Sequence, residues 1–198
     1  MRCRPPRQSL AKATCLVITD SDQAGVEDVK EQFDQILLDM KIAHRDVDIA
    51  TDGADAIPSL TSFDRVIVLM PSLYGLGTHL TDLMSWVSVG GSLMLGMTPD
   101  NSNCLQAIAS KLGIESAGYD YAKAESIVPS DDFMLGGGER YEFSDPFDSS
   151  LSVSLRETAH VWAKTGDAGT PLIWSNDCGS GHTVVCNIGI YDKVMRGF

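Results

Sequence analysis

Residues 90–101, GGSLMLGMTPDN, hold the reading on which the fold turns. A glycine pair interrupts the chain, a short apolar run follows, and Gly96 leads into a turn of Thr98, Pro99 and Asp100. That order is how a helix ends and a buried strand begins, the glycines stopping the one and the proline stopping the other. In many α/β enzymes the strand leaving such a turn holds a nucleophile at its tip. The residue at that place is Met97.

Working outward, ATCLVITD (13–20) and DRVIVLM (64–70) are continuous apolar runs, the pattern of strands buried on both faces. HRDVDIA (44–50) fits a further strand. Val26, Val29, Phe33, Ile36, Leu37 and Met40 recur at steps of three and four behind the candidate caps Ser21 and Asp22. Leu80, Leu83, Met84 and Val87 define a second amphipathic helix. Leu105, Ile108, Ala109 and Leu112 define a third, closed by Gly113. Strand and helix alternate at βαβ spacing, so Leu16, Val17, Ile18, Val66, Ile67, Val68, Leu93, Met94 and Leu95 are expected on adjacent parallel strands.

The second half reads differently. AESIV, RYEF, LSVSL, AHVWAKT, PLIWS and HTVVCNIG are short and β-rich, and DCGSGH (177–182) reads as a hairpin turn. These segments are expected to extend the sheet with antiparallel strands and an irregular flap. The fold class is therefore α/β, a three-layer sandwich around a mainly parallel sheet with antiparallel additions. Residues 13–190 are expected to form one domain. Residues 1–12 read as a linker or disordered leader, and 191–198 as the start of an amphipathic helix or a linker.

Composition excludes several partners. The chain has 15 Lys+Arg against 27 Asp+Glu, and four of the basic residues, Arg2, Arg4, Arg7 and Lys12, lie in an acid-free leader. The remaining body repels phosphate backbones, so nucleic acid is not expected as a partner. No run is long and apolar enough for a membrane span, and the leader lacks the apolar stretch of a signal peptide. Compartment is left open. Five scattered cysteines without a CxxC or Cys/His cluster argue against a zinc site or a disulfide framework.

The carboxyl ends of the strands, where open α/β sheets bind ligands, carry Asp20, Ser21 and Asp22, then Pro71, Ser72 and Tyr74, then Met97, Thr98 and Asp100. TDSDQAGVED has one glycine and flanking acids, which disfavours a phosphate or dinucleotide loop. A phospho-acceptor aspartate is missing, because the third strand ends VLMPS. Asp20, Asp22 and Asp100 offer oxygen ligands for Mg²⁺ or Ca²⁺, yet capping by Asp22 and a solvated rim explain the same acids more simply. No metal and no cofactor is expected. The ligand-binding candidates are Asp20, Asp22, Tyr74, Thr98 and Asp100, suited to a sugar or small polar ligand. Trp86, Trp162 and Trp174 fall in apolar periodic segments and read as core before they read as sugar platforms.

The succession DRVIVLMPSLYG, WVSVGGSLMLGMT and PLIWSNDCGSGHTVVCNIG resembles the class I glutamine amidotransferase-like superfamily, a flavodoxin-like fold. The last of these stretches is similar to the closing hairpin of its noncatalytic and sugar-associated members. The resemblance spans roughly residues 13–190. It implies a catalytic cysteine at the elbow and a late His-x-Glu pair; here the elbow holds Met97, and neither His160 nor His182 has an acid two residues on. No catalytic residue is therefore expected. The alternative is a hydrolase or amidotransferase using Cys104, seven residues past the elbow at a helix start, or an acid of the rim; His79 reads as a surface residue rather than a base. The chain also resembles the N-terminal domain of bacterial proteins that continue into a polysaccharide deacetylase-like domain. That likeness implies an interaction or ligand-sensing role beside other domains of one polypeptide, in a cell-envelope or exopolysaccharide setting.

Overall fold

The structure, a computed structural model, describes residues 14–132, 138–166 and 168–188. The expected leader (1–12) and the tail (191–198) lie outside the described residues, as does Cys3. Nine strands form one sheet. Four of them come from the alternating first half: β1 (Cys15–Thr19), β2 (His44–Asp48), β3 (Arg65–Leu69) and β4 (Ser92–Leu95). Between them lie helix α1 (Val26–Asp39), the one-turn helix α2 (Ile49–Asp52) and helix α3 (His79–Ser88). After β4 comes helix α4 (Asn103–Ile108), continued as a 3₁₀ turn over Ala109–Leu112 and closed by Gly113 in the left-handed region. The second half supplies β5 (Ile114–Pro129), β6 (Tyr141–Leu155), β7 (Ala159–Thr165), β8 (Pro171–Cys178) and β9 (Gly181–Cys186).

The strand order is β2-β1-β3-β4-β9-β8-β7-β5-β6. Pairing is parallel from β2 through β9 and antiparallel from β9 to β6. The expected parallel neighbours are found as read, with Leu16 opposite Val66 and Val66 opposite Leu93. Met94 alone among the nine expected strand residues is half-buried; the others are buried. Alternation along the strands sends side chains to opposite faces. Leu16, Ile18, Val66, Val68, Leu93 and Leu95 join one apolar cluster with α3 and α4, while Cys15, Val17, Ile67 and Leu69 join another with α1.

Two expectations change. The late hairpin does not merely extend the sheet: β9 inserts between β4 and β8, so the last strand of the described chain is its middle one. AESIV is also only the end of a longer β5, and RYEF and LSVSL are parts of one β6. These two strands shift register repeatedly against each other, and a bulged strand loses the two-residue alternation by which a sequence announces it.

The insertion of β9 explains both glycine motifs. A Cβ at Gly181 would lie 2.2 Å from the carbonyl oxygens of both Val87 and Gly91, and one at Gly179 would lie 2.2 Å from that of Ser88. Gly179 also has φ +66, and with Ser180 it forms the two-residue turn between β8 and β9. In return the Ser180 amide donates to the Ser88 carbonyl (3.0 Å) and the His182 amide to that of Gly91 (3.2 Å). Gly91 itself is flush against Trp86, whose ring atoms would be 2.4–2.5 Å from a Cβ there. The hairpin and the end of α3 thus meet backbone to backbone. Gly181→Ala should lower stability by about 2–4 kcal/mol, since only a backbone shift makes room. Gly53→Ala, at φ +78 and ψ 155 but with nothing within 4 Å of its Cβ, should cost about 1–3 kcal/mol from backbone strain alone. Urea midpoints of the two variants, compared with the parent, check both values.

Candidate functional site

The carboxyl ends of the parallel strands are stitched together by side chains. Gln23 spans two of them: its amide nitrogen donates to Asp20 Oδ2 (2.8 Å) and to the Ser72 carbonyl (3.0 Å), while its oxygen accepts from the Ser72 amide (2.8 Å). Asp48, at the end of β2, accepts from the amide and hydroxyl of Ser21 (3.0 and 2.6 Å) and from the Ala50 amide at the start of α2. The Asp100 amide donates to the Pro71 carbonyl (2.9 Å), which joins the turn after β4 to the loop after β3. Asp20 therefore positions a loop, and a Cβ at Gly75 would come within 3.3 Å of its Oδ2.

The five expected ligand residues do all fall at this end of the sheet, in unlike surroundings. Asp20 is half-buried, Asp22 and Asp100 are exposed, Tyr74 is 81% exposed, and Thr98 is only 7% exposed with no hydrogen-bond partner for its hydroxyl. Asp22 does not cap α1. That helix begins after Gly25, which is in the left-handed conformation, and no side chain bonds to its first amides. The Ser21–Asp48 clasp and the Gln23 bridge hold residues 20–24 as a separate turn, so the cap position falls three residues later than the side-chain types suggest.

Met97 is 4% exposed and packs in the cluster that holds Phe33, Leu69 and Ile188. Burying a methionine stabilises by about 1.5–3 kcal/mol, and its thioether offers neither proton nor thiolate. Three of the histidines lie away from it. His182 lies opposite Ser92 at the entry of β4, five residues before Met97 and hence about 16 Å away along the strand. His44 lies opposite Cys15 at the entry of β1, and His160 pairs with Ser175 in the antiparallel half. His79 heads α3, with Asp55 and Asp82 each 3.8 Å away. Cys104 is half-buried in the first turn of α4, where the Ser102 hydroxyl caps by accepting from the Leu105 amide. Burial pushes the thiols of Cys15 and Cys186 up to about 11 and about 12, which leaves them protonated and inert.

Among the described residues, Asp34, His44 and Asp46 could supply a metal with ligand atoms within 4.8 Å of one another. The ammonium of Lys30 already stands there, 2.5 Å from Asp34 and 3.2 Å from Asp46. Burial pulls its pKa down, but bonds and charge from the two aspartates outweigh this and hold it above the ordinary lysine value. The sequence reading missed this cluster because its members come from α1 and β2, which only the fold brings together.

Of the three tryptophans, Trp174 is wholly buried and donates to the Leu112 carbonyl (2.8 Å). Trp162 and Trp86 are half-buried; Trp162 donates to Ser175 Oγ (2.9 Å) and meets the His160 ring edge-on. Trp86 lines a groove of about 530 Å³ beside α3 with Ile57, Pro58, Leu60 and Val89. No helix of the described residues is long and apolar enough to cross a membrane.

This sheet, with its glycine-pair elbow and its returning final hairpin, has the class I glutamine amidotransferase-like fold seen in ThuA-like proteins. Residues 7–155 match the family described as uncharacterised protein conserved in bacteria (DUF2194), and the chain belongs to that family. The solved structures agree on the fold. A putative ThuA-like protein from Bacteroides uniformis superposes with a TM-score of 0.63 at 11% identity, covering 94% of this chain and 86% of that one. A cold-adapted β-galactosidase from Rahnella sp. R3 gives 0.63 at 19% identity, covering 89% of this chain but 28% of its own. An exo-β-1,4-mannosidase from an Opitutaceae bacterium gives 0.60 at 20% identity, over 90% and 31%. This chain thus spans under a third of the length of those two glycosidases. No curated protein matches it by sequence.

The Asp48 clasp gives a pH test. Burial pushes this carboxyl up, but the bonds from Ser21, Ala50 and Thr51 outweigh that and hold it below the ordinary value of 3.8. Its contribution is therefore complete above that value and is lost as pH falls through the lower folded-state value. Asp48→Asn should cost about 1 kcal/mol at about pH 7, with a smaller gap from the parent at about pH 3. Denaturant titrations at the two pH values measure this; a gap that stays constant would mean that the ionised carboxylate is not what holds the clasp.

Proposed function

We propose that this domain is a noncatalytic, amidotransferase-like module, serving interaction or ligand sensing within a larger bacterial protein of carbohydrate or cell-envelope metabolism. The observation that carries this reading is Met97, buried in the core at the place where an amidotransferase holds its nucleophile. The positions of three histidines support it: His44 and His182 lie at the entry ends of the parallel strands, and His160 lies in the antiparallel half. The setting is supported by the same fold forming 28–31% of two longer glycosidase chains, and by the sequence likeness to domains that precede a polysaccharide deacetylase-like domain. Layers of helices on both faces, as a three-layer sandwich over residues 13–190, belong to this reading.

Ligand sensing would run through the rim of Asp20, Asp22, Tyr74, Thr98 and Asp100. Its carboxylates favour a cation or a neutral polyol and repel phosphate, and the exposed Tyr74 offers a flat ring to a sugar face. Cys104 is the remaining candidate for an enzyme reading; its weakness is the lack of a histidine on α4 or the loop before it.

The protein should release no ammonia from glutamine and turn over no activated ester. Turnover abolished by Cys104→Ala would replace the proposal with the enzyme reading. Titration with Mg²⁺, Ca²⁺ and neutral sugars, followed by backbone amide shifts, should perturb residues 20–23, 72–75 and 97–101. Shifts confined to 177–182, or unchanged in Asp20→Ala and Asp100→Ala, would move the site elsewhere.

A further inference from the structure

The groove beside α3 is a second surface, lined by none of the five rim residues. It is about 530 Å³ in volume, and its walls are largely apolar: Ile57, Pro58 and Leu60 on one side, Trp86 and Val89 on the other. Val89 is 80% exposed, an uncommon position for a β-branched apolar side chain unless something covers it. Gly91 backs the Trp86 ring and so fixes the indole in place. The charge along the groove is acidic. Asp82 lines it, no Lys or Arg does, and His79 stands between Asp82 and Asp55.

The occupant that fits is in the same chain. Residues 1–13, MRCRPPRQSLAKA, carry four cations and no acid, together with Pro5, Pro6 and Leu10 as apolar pieces. Their point of attachment is fixed: the Thr14 carbonyl accepts from the amides of Asp64 (2.9 Å) and Arg65 (3.1 Å). That anchors the chain three residues from Thr61, which with Leu60 forms the groove wall. Thirteen residues reach about 40 Å when extended. From His79 to Val89 the groove runs about 15 Å along the helix. Reach, attachment and charge agree. We propose that residues 1–13 bind in cis along the groove between α3 and residues 57–61, with their arginines toward Asp82 and Asp55 and their apolar residues against Trp86 and Leu60.

Limited trypsin digestion of the full chain tests this, because Arg2, Arg7 and Lys12 are cleavage sites, whereas the Arg4–Pro5 bond resists trypsin. Asp82→Lys and Val89→Asp alter exposed groove residues and should leave the thermal midpoint nearly unchanged, yet each should speed cleavage at those sites by about tenfold. Arg4→Glu with Arg7→Glu should shift the amides of 57–61 and 79–89 and leave the thermal midpoint nearly unchanged; about 1 M salt should shift the same amides in the parent, by screening. Equal cleavage in parent and groove variants, or leader-variant shifts that fall outside those segments, would overturn the proposal. Protection that disappears on dilution would also overturn it, in favour of a second copy's leader in the groove.

Discussion

The contact on which this structure depends is the backbone-to-backbone approach of the β8–β9 turn to the end of α3. Without Gly179 and Gly181 the hairpin would stand off from the Ser88 and Gly91 carbonyls, and β9 would not register against β4 with His182 opposite Ser92. Everything on the antiparallel side is then placed through β9 and β8. The carbonyls at the end of the α4 unit are satisfied by this same hairpin: Trp174 donates to Leu112, and Asn176 and Thr183 both donate to Lys111. Helix ends need such partners, so the seam between the halves is held by hydrogen bonds that neither half makes alone.

At the other end of the strands, polar groups are largely committed to holding loops. Gln23 and Asp48 each satisfy several partners across different strands, and a carboxylate engaged in this way is both fixed and less available. The core has taken over the elbow as well. A cysteine in the place of Met97 would need an open approach and a base; the methionine instead fills space against Phe33, below a backbone that Gly96 lets come close to Leu69.

The first half was legible in the sequence because its strands are buried on both faces and its helices are amphipathic, two periods that do not imitate each other. Residues 13–20, 64–70 and 92–95 announced themselves in this way, and Gly113 announced a helix end. The long β5 and β6 were only partly visible, since their bulges break the alternation and their middle residues are polar. The place of β9 was not legible: nothing local distinguishes a strand that ends a hairpin at the edge from one that enters the centre. The candidate rim could be located from strand ends alone, but not the bonds from Gln23 and Asp48, which join residues 49 and 27 positions apart.

One topological fact bears on how this chain acquires its shape. The sheet is continuous only through β9, which is the last strand described and the one between β4 and β8. Asn187 fastens its end, exchanging bonds with Leu151 and donating to Pro171. A chain emerging from the ribosome can pair β1, β2, β3 and β4 early, but β4 keeps an unpaired edge until some ninety further residues have been made. Such late, long-range closure slows folding and leaves an apolar edge open to wrong partners. Synthesis of this protein therefore carries an interval of vulnerability whose length is set by the position of the β8–β9 hairpin.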